Sequence, residues 1–109
     1  MISTHVLDTA RGLPAPGVTV QLFRIDDNAR ELIATAQTDA GGRISPIFGG
    51  ELAAGTYELL FSAGEYFRAA GTQTFFGDIP VQFAINSGEQ KLHIPLLLAP
   101  FGYSTYKGS

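Results

Sequence analysis

Apolar and polar residues alternate with a period of two along most of this chain, the pattern of strands buried on one face. Ile2, Thr4 and Val6 share one side and Ser3, His5 and Leu7 the other, before Asp8 to Gly12 supplies turn residues. Leu13-Pro14-Ala15-Pro16-Gly17 predicts a rigid extended link. Val18, Val20 and Leu22 then alternate with Thr19, Gln21 and Phe23. Asp26-Asp27-Asn28 turns the chain, and Leu32, Ala34 and Ala36 mark the inner face of a third strand, joined by a hairpin loop of about four or five residues. Gly41-Gly42 permits positive φ in a second turn and sets Arg43 at the start of a short strand, limited by Pro46 and Gly49-Gly50.

Tyr57, Leu59 and Phe61 restore the alternation, and then the period changes. Ser62-Ala63-Gly64-Glu65 has the form of a capping box, Ala63, Phe67 and Ala70 share a helical face, and Gly71 suits the position just past a helix end. Ile79, Val81, Phe83 and Ile85 alternate again, and Asn86-Ser87-Gly88 turns. In the next strand Leu92, Ile94, Leu96 and Leu98 face the core, with His93, Pro95 and Leu97 opposite; Tyr103 to Tyr106 predicts a last short strand. About eight strands in two sheets with one short helix predict an all-β, antiparallel β-sandwich. Residues 1–109 read as a single domain, with no internal repeat or linker.

Composition narrows the function. Charged residues are only 16% of the chain, so some apolar surface is expected to meet another subunit. A formal net charge of −3 with scattered basic residues excludes the footprint of a nucleic-acid binder. There is no cysteine, which removes disulfides, thiolate metal sites and a cysteine nucleophile together. No segment approaches the ~20 apolar residues of a membrane span. The cytoplasm is the expected location, or the periplasm if a leader has been removed.

The chain has two histidines, His5 and His93, both on strands and both opposite the core-facing side. The bland reading is two surface histidines. The residues around them carry more. Ser3-Thr4-His5-Val6-Leu7-Asp8-Thr9-Ala10-Arg11-Gly12-Leu13-Pro14-Ala15, Gly42-Arg43, Gly64-Glu65-Tyr66-Phe67, and the run from His93-Ile94-Pro95-Leu96-Leu97-Leu98 to Tyr106-Lys107-Gly108-Ser109 resemble the hydroxyisourate hydrolase branch of the transthyretin-like family. The resemblance spans nearly the whole chain and is strongest at its two ends.

That resemblance implies a transthyretin-like sandwich. It also implies one cleft lined by His5, Arg43, His93 and the terminal Tyr106, Lys107, Gly108 and Ser109. The implied reaction opens the six-membered ring of 5-hydroxyisourate in urate breakdown, without a cofactor, in a homotetramer built as a dimer of dimers with the sites where dimers meet. His5, Arg43, His93 and Ser109 are the candidate catalytic residues, and all seven positions are candidate substrate contacts. The chemistry suits these types. Imidazole, with an unperturbed pKa near ~6.5, activates water at neutral pH, and a guanidinium orients carbonyls and stabilises an oxyanion. Ser109 offers either its hydroxyl or a terminal carboxylate. Two departures stand out. Lys107, where the family most often has arginine, keeps the charge and loses the planar fork. Ala40-Gly41-Gly42 lacks the aspartate that many relatives have there, and with it a local hydrogen bond.

Rival uses of these residues are weaker. Two histidines per chain fall short of a zinc site unless subunits pool ligands. A non-enzymatic transthyretin-like carrier of a small aromatic ligand, in a channel between subunits, shares the fold but calls for apolar walls. A serine triad lacks the G-x-S-x-G elbow, and Ser109 is expected on a flexible end.

Overall fold

A computed structural model describes residues 1–87 and 91–109. The Gly88 end of the expected turn after Asn86 lies outside the described residues. Among the described residues, ten strands and one helix follow one another as β1 (Ile2–Asp8), β2 (Leu13–Pro14), β3 (Thr19–Asp26), β4 (Ala29–Gln37), β5 (Arg43–Phe48), β6 (Gly55–Phe61), α1 (Ala63–Ala69), β7 (Ile79–Ile85), β8 (Leu92–His93), β9 (Leu96–Ala99) and β10 (Gly102–Thr105). Two of the strands are two-residue segments. β2 is one of them: the expected proline-rich link pairs Pro14 with Leu7 and Leu13 with Asp8.

One sheet runs β4-β3-β6-β7, wholly antiparallel; the other runs β10-β9-β1-β2, with β5 and β8 also paired to β1. β1 is the axis of the second sheet. It takes β5 antiparallel along one edge and β8 and β9 parallel along the other. The inner faces meet in a single core. Val6, Val20, Leu22, Tyr57, Leu59, Phe61, Leu96 and Leu98 are fully buried there, as their alternation requires. Thr4 joins them without an orphaned hydroxyl, because its Oγ1 donates to the Ile94 carbonyl at 2.6 Å.

Local expectations changed in four places. The hairpin loop is only Asp27-Asn28, since Asp26 still pairs with Ala29 and Asp27 takes a positive φ of 41°. The β3–β4 register slips between Leu22 and Phe23 of β3, which face Ala34 and Leu32 of β4. The extra residue, Ile33, takes the inner position and Leu32 turns out to 51% exposure, against the expected inner face. Ser62 makes no side-chain cap; instead the Gly64 N–H donates to the Gly77 carbonyl at 2.9 Å. Pro95, expected on the face opposite the core, is buried, in the break between β8 and β9 where the strand alternation is interrupted.

The far end of the helix behaves as read. Gly71 has φ 69°, the Thr72 N–H reaches the Phe67 carbonyl and the Gly71 N–H reaches that of Arg68, closing a Schellman motif.

Candidate active site

The outward face of the β1 sheet gathers His5, Arg43 and His93 through strand register. Antiparallel pairing sets His5 opposite Arg43, and parallel pairing sets Ser3 beside His93. Beyond β10 the chain returns along β8. Gly108 bridges to His93, its N–H donating to the His93 carbonyl at 2.7 Å. The end of the chain is therefore anchored at Gly108, and the expectation of a flexible end is corrected by this main-chain bond.

The turn that presents Arg43 is held from within. One Asp39 carboxylate oxygen accepts from the N–H groups of both Gly41 and Arg43 at 2.9 Å. Asp39 thus supplies the local hydrogen bonding that Ala40 cannot. Gly42 has φ 75°, and a Cβ there would stand 2.4 Å from the Val6 carbonyl, so only glycine lets this turn close on β1.

Each histidine has one nitrogen committed. His5 Nε2 lies 2.9 Å from the Gly41 carbonyl, which only accepts, so Nε2 carries the proton and the neutral ring keeps Nδ1 bare. His93 Nδ1 lies 2.9 Å from Ser3 Oγ. The opposite edge of the His93 ring faces the main chain of Gly108, where a Cβ would come within 2.8 Å of Cδ2. Nε2 is the nitrogen left for solvent or substrate. Burial, and then the positive charges of Arg43 and His5, hold the His93 pKa below the ordinary imidazole value. The ring is therefore neutral at neutral pH and able to accept a proton.

A cleft of about 350 Å³ opens here, lined by Met1, Ser3, Arg43, Lys91, Leu92, His93, Gly108 and Ser109. Four of the seven predicted positions, Arg43, His93, Gly108 and Ser109, line it directly. His5 stands beside Arg43 in the sheet without lining the cleft of the single chain. Tyr106 and Lys107 do not join it; they line a separate hollow of about 220 Å³, with Val81, Phe83 and Ile94, at the edge between the sheets. Ser3 and Lys91 were not singled out from sequence. Ser3 shares the outward face with His5, but its partner depends on a pairing 90 residues away. Among the described residues no group of three or more histidine, aspartate or glutamate side chains gathers where it could hold a metal ion.

The arrangement offers a neutral imidazole, a guanidinium and the Gly108–Ser109 segment around one small polar cavity, a set suited to water-mediated attack on a carbonyl. The chain is 47% identical to 5-hydroxyisourate hydrolase 2 of Rhizobium meliloti, over 99% of this chain and 95% of that protein. The solved 5-hydroxyisourate hydrolase of Klebsiella pneumoniae superposes with a TM-score of 0.89 at 41% identity, covering 99% of this chain and 98% of that one. Sea bream transthyretin in complex with thyroxine superposes with a TM-score of 0.91 at 30% identity, covering 98% and 93%. The model of the HIUase/Transthyretin family matches residues 2–108, and the chain belongs to that family.

Proposed function

We propose that this protein is a hydrolase that opens the six-membered ring of 5-hydroxyisourate, giving 2-oxo-4-hydroxy-4-carboxy-5-ureidoimidazoline. The observation that carries the reading is the His93 ring, held between Ser3 and Gly108 with Nε2 left over, in a cleft shared with Arg43. The relatives' activity supports the same reaction. Transthyretin shares the fold, but a carrier of an aromatic ligand has no use for a neutral base beside a guanidinium.

In this mechanism His93 Nε2 takes a proton from water as its oxygen attacks the ring carbonyl. Arg43, whose guanidinium has no ion pair among the described residues, binds the carbonyl oxygen and stabilises the developing oxyanion. The C–N bond then breaks and the departing nitrogen takes up a proton, from the imidazolium or through His5. Gly108 and Ser109 close the side of the cleft. Tyr106 and Lys107 serve the substrate only through the assembly.

That assembly is a homotetramer, a dimer of dimers with sites where dimers meet. Its support is an exposed aromatic cluster beside the β9–β10 turn: Phe75 is 78% exposed, Phe101 68% and Tyr103 43%, with Phe76 packed edge-on against Phe75 and Tyr103. β7 and β10 also end their sheets with a free edge among the described residues.

The test generates 5-hydroxyisourate with urate oxidase and follows its decay with and without the protein. Acceleration is expected, and replacing Arg43 or His93 is expected to lower it by ~10²-fold or more. Decay at the spontaneous rate with the wild-type protein would remove the hydrolase reading.

A further inference from the structure

Ser3 is the buried polar residue of the site whose hydroxyl meets a functional side chain, and the family assignment alone gives it no task. It is 8% exposed, and its Oγ lies 2.9 Å from His93 Nδ1. The contact is built into the sheet. Ser3 and His93 are register partners, the Ile94 N–H donates to the Ser3 carbonyl at 3.0 Å, and Thr4 Oγ1 donates to the Ile94 carbonyl on the other side of the same strand pair. Backbone pairing thus fixes the distance between hydroxyl and ring, so neither side chain has to find the other.

A hydroxyl can donate to Nδ1 or accept from it, and the two choices give opposite enzymes. If Ser3 donated, Nε2 would carry the ring's proton and His93 would have no lone pair to offer water. The charges around the ring decide. Arg43 and Lys91, both cationic, line the cleft. A positive surround favours the tautomer whose lone pair points outward and whose N–H points inward. The inward partner is Ser3 Oγ. We infer that Ser3 is a positioning residue that accepts from His93 Nδ1–H, holding the ring in the tautomer that presents a bare Nε2 to the cleft. His5 is then its counterpart, since Gly41 ties up Nε2 and leaves Nδ1 bare. Two carbonyl-side or hydroxyl-side anchors thus aim two lone pairs outward from one sheet face.

This inference depends on the hydrolase reading for its kinetic arm alone; a spectroscopic arm stands without it. Long-range ¹H–¹⁵N correlation on the wild-type protein above the His93 titration is expected to show a protonated Nδ1 and an unprotonated Nε2. The reverse pattern would overturn the inference outright. In Ser3→Ala the two His93 nitrogens are expected to move toward averaged shifts as the tautomers mix, with His5 unchanged. An unaltered His93 pattern would equally overturn it. In turnover, Ser3→Ala should lower kcat about 10-fold or more, a part of the roughly 10²–10⁴ carried by general acid–base catalysis, with KM within about twofold. Ser3→Thr keeps the hydroxyl and should recover most of the rate. Loss shared equally by the alanine and threonine variants, with an unchanged tautomer, would mark Ser3 as packing only. If wild-type protein fails to turn over 5-hydroxyisourate, the functional reading falls while the spectra still decide the tautomer.

Discussion

Replacing Gly108 by alanine tests whether the chain end positions the base. An ideal Cβ at this position stands 2.8 Å from Cδ2 of His93 and 3.1 Å from its carbonyl oxygen. The carbonyl belongs to a sheet strand and cannot swing away, so relief comes from the ring or from the tail. Lifting the tail gives up the 2.7 Å bond from the Gly108 N–H, worth a net ~0.5–1.5 kcal/mol. Turning the ring by ~30° costs about the same. Either way the fold survives, and a loss of ~1 kcal/mol lowers the Tm of a domain this size by roughly 4–8 °C. The rate has no such tolerance. A ring displaced by ~1 Å costs ~10²-fold when the reacting atoms must meet in line. The assay is decay of freshly generated 5-hydroxyisourate, paired with a melting curve and with Gly102→Ala as a control, since a Cβ at Gly102 meets nothing within 4 Å. The expected result is ~10²-fold slower turnover in Gly108→Ala with a Tm lowered by no more than roughly 4–8 °C, and a control like wild type. Wild-type turnover by Gly108→Ala would show that contact with the chain end does not position His93.

Two further outcomes follow from the same geometry. Because burial and the charges of Arg43 and His5 depress the His93 pKa, the neutral base persists below the ~6.5 of a free imidazole. kcat/KM should therefore hold as pH falls through ~6.5 and decline only on further acidification; an acid limb centred above that value would contradict the assignment of His93 as base. Away from the cleft, the Tyr66 hydroxyl donates to Asp8 Oδ2 at 2.8 Å, and Asp8 is 2% exposed. Tyr66→Phe should cost ~1–3 kcal/mol by leaving that carboxylate short of a donor, read as a fall in Tm with little change in kcat; an unchanged melt would show that water or Arg11 replaces the bond.

The strands were legible because alternation is a local property. Ile79, Val81, Phe83 and Ile85 announce their buried face within seven residues of chain. The bulge at Ile33 was not, since an extra residue is visible only against the partner strand, and the run Leu32-Ile33-Ala34 is apolar whichever residue is chosen. His5, Arg43 and His93 stood out through the family resemblance, and register then brought them onto one sheet face. Ser3 stayed hidden for the complementary reason. Its hydroxyl gains meaning only from a parallel pairing with β8, which no spacing along the chain encodes. Tyr106 and Lys107 show the same limit in reverse. They sit next to Gly108 in sequence, yet the chain turns them toward the opening between the sheets.

The parallel seam between β1 and β8 has a consequence for the order in which the protein comes into being. Ser3 is made well before His93 and Gly108, and all four strands of the β4-β3-β6-β7 sheet are made between them. The β3–β6 sheet and its hairpin can pair as they emerge, whereas β1 must wait with one edge unclaimed. A nascent chain can therefore be largely folded and still have no site at all. The cleft is complete only once the segment that carries Gly108 has been made and has returned to β8.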